Sequence, residues 1–230
     1  MRAHEHIFGF TKEKDMDTNV KQGLCYLDPR DNRAFQRIFG DEEVMLGFLN
    51  AAYAGKYKMT SIERYADSKL VVLGTEEDPN GVFLLHCKDE RGRGHVVEVR
   101  NVCKGNFLKK IGDYYMRERM LQEMASCVDV RPDGKDGKPV SVIGIINKYD
   151  SNLRYMWSDA DIGDENDNPV KPEFYGVVLC PRLAPESLTE CKDSLEQCLC
   201  LFKHLAVLDS KIDDSDLPGW IVKMVRLAEV

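Results

Sequence analysis

Several groups of side chains in this sequence have types and spacing that could do chemistry. Clustered carboxylates and amides are the ligands calcium takes, and the run Ser158-Asp-Ala-Asp-Ile-Gly-Asp-Glu-Asn-Asp-Asn168 offers many. Its register is wrong for a twelve-residue calcium loop. Counted from Asp159, the glycine falls at position five instead of six, and position twelve is Val170 instead of a bidentate glutamate. The run reads as a solvated loop. The eight cysteines (25, 87, 103, 127, 180, 191, 198 and 200) include no Cys-x-x-Cys, and Cys198-Leu-Cys200 has no second pair near it. Most sit in apolar stretches such as Val178-Leu-Cys180, where a thiol behaves as a small hydrophobe. The five histidines make no spaced ligand set. This usage predicts free thiols, no metal, and an intracellular, reducing compartment.

Lys104, Lys109, Lys110 and Arg117, with Arg119 beyond them, could contact phosphates. At helical spacing Lys110 and Arg117 share a side while Lys109 and Arg119 diverge, which describes a solvated helix surface better than a continuous groove. Glu98-Val-Arg100 sets an acid and a guanidinium on one side of a strand, where a glutamate ordinarily faces solvent. Asp31 stands at a helix start, where a carboxylate cap contributes about 1 kcal/mol.

These residues need elements to hold them. Asp31 or Asn32 caps a short helix carrying Phe35, Ile38 and Phe39, stopped at Gly40. Asp41 caps a second, through Ala54, with Val44, Met45, Phe48, Leu49 and Ala52 on its inner face. Lys69–Leu73, Val82–His86 and His95–Arg100 read as an antiparallel meander with turns at Asp78–Gly81 and Arg91–Gly94. Phe107, Leu108, Ile111, Tyr115, Leu121 and Met124 predict a long helix from about Asn106 to Ser126. Val140–Ile146 and Phe174–Cys180 are continuous apolar runs, as buried strands are. Helices over Asp193–Leu208 and from Trp220 close the chain, with Trp220, Met224 and Leu227 placed to cap the core. The expected class is α/β: a mixed central sheet flanked by helices.

With 230 residues, 43% hydrophobic and 31% charged, the chain is a globular protein and not a disordered or fibrous one. Residues 1–25 read as a polar arm and residues 26–230 as one domain. No apolar run approaches the roughly 20 residues of a membrane span, and no apolar secretory core follows the first residues. A formal charge of −7 argues against bulk coating of nucleic acid.

Three features stand together: Asp31-Asn-Arg-Ala-Phe-Gln-Arg-Ile-Phe-Gly40 with Leu46-Gly-Phe-Leu-Asn-Ala51, the hairpin Leu84–Arg100, and the tyrosine pair Tyr114-Tyr115 in the long helix. Over residues 26–208 the chain resembles the transposase-associated branch of the PD-(D/E)XK nuclease superfamily. In that family an Asp-x-x-Phe-Lys-x-x-Phe-Gly-like helix and a Phe-Leu-Asn segment precede an Asp-bearing strand, a turn and a Glu-x-Gln or Glu-x-Lys strand. One carboxylate on each paired strand holds Mg²⁺, and the lysine or glutamine orients water.

Aligned on Gly92, the family's metal-binding Asp falls on Leu84, and Glu98-Val-Arg100 stands where Glu-x-Lys would. With an odd-numbered turn, Leu84, His86, Glu98 and Arg100 share a face. Asp89 lies too close to the turn to face Glu98. The imidazole of His86 opposite a lone glutamate suits hard Mg²⁺ poorly, and Arg100 cannot release a proton near neutrality. Glu98 and Arg100 then pair with each other. The resemblance therefore implies a remnant site (Asp31, Leu84, His86, Glu98, Arg100) in a pseudonuclease that acts as a protein-interaction module. Such domains occur in a kinetoplastid kinetochore protein, which would place the chain in the nucleus. The alternatives are a Mg²⁺-dependent DNA endonuclease whose second carboxylate has migrated, to Asp67 or to an acid of the 41–54 helix, and a DNA-binding domain without cleavage. The protein partner and the oligomeric state are not specified by the sequence.

Overall fold

A computed structural model describes residues 25–53, 55–66, 81–102, 139–147, 157–160, 174–208 and 210–230. Two helices open it. In α1 (Asn32–Phe39) the Asp31 carboxylate accepts hydrogen bonds from the Arg33 and Ala34 amides at 2.9 and 3.1 Å, so the cap read from the sequence is the one formed. Asp41 caps α2 (Glu42–Ala52) in the same way. The expected end at Ala54 comes two residues early, with Tyr53 as C-cap. Gly40 ends α1 without a left-handed turn (φ −71°); a Cβ there would lie 2.5 Å from the Gln36 carbonyl oxygen, and that crowding selects glycine.

Asn50 ties α2 to the sheet. Its amide donates to the Met59 carbonyl at 3.0 Å and its oxygen accepts from the Met59 N–H at 2.7 Å. From that clamp starts β1 (Met59–Ala66), followed by β2 (Val82–Asp89), β3 (Gly94–Val102), β4 (Val140–Ile146), β5 (Trp157–Ala160) and β6 (Phe174–Leu179). The sheet order is β1-β2-β3-β4-β6-β5. The first three strands form an antiparallel meander; β4 runs parallel to β3, β6 parallel to β4, and β5 antiparallel to β6. The first strand of the meander is thus β1. The strand expected at Lys69–Leu73 lies outside the described residues, as do the 106–126 helix and residues 1–24. The acidic run expected to be loop begins as strand, since β5 takes in Ser158, Asp159 and Ala160.

After β6 come short 3₁₀ turns, then α3 (Ser194–His204) and α4 (Gly219–Ala228). All four helices bury their apolar sides against one face of the sheet, the odd-numbered face of Phe83, Leu85, Val97, Val99, Ile143, Ile145, Val177 and Leu179. At its centre Phe39 packs with Phe35, Phe48 and Phe202 at 4.9, 5.2 and 5.7 Å between ring centroids. Full burial of each such ring contributes about 1.5–3 kcal/mol. Trp220 lies over Gly47, where a Cβ would come within 2.2 Å of the indole; α2 and α4 meet through that gap. Met224 is fully buried while Trp220 and Leu227 pack at the margin, so α4 caps the core. The chain is held closed where Leu27 N–H donates to the Ala228 carbonyl at 2.7 Å. Among the described residues the cysteines are free thiols, and no helix is long and apolar enough to cross a membrane.

Candidate functional site

The hairpin register decides what the conspicuous residues can do. β2 and β3 pair with Leu84 opposite Glu98, His86 opposite Val96 and Val82 opposite Arg100. Gly92, at φ +74°, supplies the left-handed residue the connecting turn requires. Because strand side chains alternate, Leu84, His86, Glu98 and Arg100 all lie on the even-numbered face, away from the four described helices.

On that face Glu98 is fully buried and Arg100 is 2% exposed, contrary to the solvent-facing glutamate expected of a strand. Two residues apart on one strand, the two side chains reach each other, and the Arg100 Nε–H donates to Glu98 Oε1. Taking either ion alone out of water would cost several kcal/mol, and the pair offsets this only by close contact. The cross-strand partners of Glu98 are apolar. Leu84 stands across β2 and forms a small cluster with Val82 and Val96, while Val142 stands across β4. His86 is half-buried two residues from Leu84.

A hard divalent cation needs oxygen ligands from more than one group. Among the described residues, Glu98 faces Leu84 and Val142 across the neighbouring strands and is paired with the Arg100 guanidinium, a set that does not fit Mg²⁺. The acids of the 41–54 helix do not supply the missing ligand. Asp41 and Glu43 pair with Lys223 of α4 at 2.9 and 3.0 Å, and α2 packs on the opposite face of the sheet. Asp31 is exposed and bound to its own helix, while Asn101, an odd-face residue, holds the neighbouring Arg30 carbonyl and Asn32 side chain at 3.0 and 2.8 Å. So Asp31 does not join Glu98. Among the described residues no group of three His, Cys, Asp or Glu side chains could hold a metal ion. Asp67, Lys104, Lys109, Lys110, Arg117, Tyr114 and Tyr115 lie outside the described residues.

A second polar cluster, not anticipated from the sequence, occupies the odd face at the turn end of the same hairpin. Asp89, 4% exposed, accepts from the Arg91 and Arg93 amides at 3.0 and 2.8 Å and lies 2.9 Å from His95 Nε2. Burial alone would raise its pKa, but the His95 hydrogen bond and the two amides outweigh that and hold the carboxyl down at about 2. His95 is fully buried, and desolvation pushes its pKa below the ordinary value against the opposing pull of Asp89. Tyr57 stacks edge-on to His95 at 4.9 Å and to Tyr53 at 5.3 Å, with the Arg93 guanidinium 5.5 Å from the Tyr57 ring. The available signal is an Asp and a His flanking a tight turn six residues apart, an even separation that puts both on one face in this register.

No family model, curated protein or solved structure matches this chain. The arrangement of its own side chains therefore carries the functional reading.

Proposed function

We propose that this chain is a PD-(D/E)XK-like pseudonuclease domain, non-catalytic, that serves as a protein-interaction module. The observation that carries this reading is the pairing of Leu84 with Glu98, with Glu98 bound to Arg100 inside the protein. A nuclease of this type needs a second acid where Leu84 stands and a free carboxylate where Glu98 is neutralised. The order of elements also supports it: a capped entry helix, then a hairpin whose second strand bears Glu98, then a strand parallel to it. The net charge of −7 favours a protein partner over the phosphate backbone. By the same resemblance, a kinetochore and the nucleus are the setting in which to look for that partner.

Calorimetric titration with Mg²⁺ and with Mn²⁺, alongside incubation with supercoiled plasmid, tests the loss of catalysis. The expected result is no saturable heat and no nicking. Metal binding and plasmid cleavage, both lost in a Glu98→Gln variant that melts like the parent, would overturn it in favour of a nuclease with a migrated carboxylate. Salt-sensitive binding to a short duplex, weakened by Lys109→Ala with Lys110→Ala, would instead make it a DNA-binding domain.

A further inference from the structure

At the turn end of the hairpin the sheet carries a cationic patch. Two turns abut there: Gly55-Lys-Tyr-Lys58, between α2 and β1, and Asp89-Glu-Arg-Gly-Arg93, between β2 and β3. The Glu90 N–H donates to the Lys58 carbonyl at 2.9 Å and the Thr60 hydroxyl to the Lys88 carbonyl at 3.1 Å, which holds the turns side by side. Lys56, Lys58, Arg91 and Arg93 are all exposed. The acids of the two turns are Glu90, exposed, and Asp89, buried and held by the turn amides. Beside them Lys88 and Glu63 pair with each other at 2.8 Å. A chain of net charge −7 thus gathers exposed cations on two adjoining turns.

The patch is preorganised. Asp89 accepts from the amides of both Arg91 and Arg93, and Gly92 between them takes φ +74°, so the backbone carrying the two arginines is fixed. The Arg93 guanidinium lies 5.5 Å from the Tyr57 ring and 3.4 Å from Asp89 Oδ2, yet its side chain is 49% exposed. On the other turn the Lys56 ammonium sits 4.3 Å over the Tyr175 ring. Lys58 and Arg91 have no side-chain partner among the described residues. Cations already held in place lose little freedom when an anion arrives.

The rings beneath them are occupied. Tyr57 meets Tyr53, His95 and Tyr175 at 5.3, 4.9 and 6.1 Å as well as Arg93, and Tyr175 is 6% exposed. Single-stranded nucleic acid is gripped by bases stacked on open rings. Here the aromatic groups buttress the cations, and what the surface presents is charge. Guanidinium forks and ammonium groups so placed suit carboxylates.

We propose that this turn end is a docking surface for an acidic segment of a partner protein, a stretch rich in aspartate and glutamate whose carboxylates pair with Lys58, Arg91 and Arg93. This rests on the reading of the chain as a protein-interaction module and gives the partner its chemistry. The experiment reads peptide binding alone, so docking can fail while the absence of metal binding and plasmid cleavage stands.

Fluorescence anisotropy of the full chain with a labelled peptide of alternating aspartate and serine, about twelve residues long, tests this at low salt. Saturable binding is expected, weakening about tenfold or more between roughly 50 and 300 mM salt. The same peptide with asparagine for aspartate is expected not to bind. Lys58→Glu with Arg91→Glu is expected to weaken binding about tenfold, and Lys58→Gln with Arg91→Gln about threefold, in variants that melt like the parent. Lys211→Glu, which reverses an exposed cation between α3 and α4, is expected to leave the affinity as it is. Docking at this surface is overturned if the aspartate peptide does not bind at low salt, or if Lys211→Glu weakens it as much as the turn variants do. Binding of oligodeoxythymidylate of equal length as tightly as the peptide would overturn it in favour of nucleic acid.

Discussion

Glu98 and Asp89 are both buried carboxylates of one hairpin, on opposite faces and opposite strands, and they are satisfied in different ways. Glu98 meets the guanidinium of Arg100 on its own strand, among Leu84, Val82 and Val96. Asp89 is held by two turn amides, an imidazole and, at 3.4 Å, the Arg93 guanidinium. The first arrangement is closed in the sense that its partner is an arginine two residues along the same strand, which stays charged throughout the working pH range. The second contains an imidazole, whose pKa burial pushes below its ordinary value. The comparison teaches that position in a hairpin does not make an acid reactive; the partners' chemistry decides. The acid that a nuclease-like pattern highlights is the one paired with an arginine.

Removing one partner of the closed pair gives the largest expected effect. Arg100→Ala leaves Glu98 buried without its principal cation and is expected to lower unfolding stability by about 3–5 kcal/mol. Replacing both groups, Glu98→Leu with Arg100→Met, removes the desolvation cost along with the attraction and is expected to recover most of that loss. Urea unfolding of the parent, the single and the double variants measures both. A double variant as unstable as the single one would mean that the pair holds a wider polar network and is not closed.

On the other face, Asp89→Asn keeps the shape of the side chain and loses its charge. Its hydrogen bonds to the turn amides and His95 weaken together, and the expected loss near neutrality is about 2 kcal/mol. The acid limb adds a second signature. Because the folded carboxyl sits at about 2 against an ordinary 3.8, the unfolded chain takes up the proton first as pH falls. Asp89 thus contributes stability that is present above the ordinary value and is lost between it and about 2. The Asn variant should show a shallower decline across that window in thermal melts. An unchanged decline would mean that other carboxylates govern acid unfolding.

Much of this framework was legible in the sequence. Caps at Asp31 and Asp41 and apolar residues at helical spacing placed α1 and α2, the helix expected over Asp193–Leu208 forms as α3, and continuous apolar runs placed β4 and β6. The shared face of Leu84 and Glu98 was expected on condition of an odd-numbered turn, a condition that the observed register of Leu84 opposite Glu98 meets. β1 was not legible. Its register shifts between Met59 and Ser61 and again between Ile62 and Arg64, which breaks the period-two pattern by which strands are recognised. β5 is short and opens into an acidic run, so composition pointed to loop. The burial of Glu98 was hidden for a different reason. Whether a sheet face is covered depends on the tertiary arrangement, and nothing in Glu98-Val-Arg100 itself records it. The Asp89–His95 contact joins residues on either side of a turn; it becomes visible only once the turn length is known.

The smallest effect expected, and the one that separates the two carboxylates most cleanly, belongs to His95. The groups facing it are Asp89, Arg93 and Tyr57. Burial holds its imidazole neutral below the ordinary pKa of 6.5, with Asp89 pulling the other way. As pH falls past that ordinary value the unfolded chain binds a proton that the folded chain does not, so stability drops with falling pH, by at most about 1.4 kcal/mol per pH unit. His95→Gln, which keeps a polar group toward Asp89 but cannot titrate, is expected to flatten thermal stability just below the ordinary value of 6.5 while Arg100→Ala leaves that slope as it is. A parent protein that gains stability on acidification through this range would show that His95 takes up its proton in the folded state and pairs with Asp89 as a full ion pair. The difference between the faces would then be one of degree: two buried ion pairs, one permanent and one set by pH.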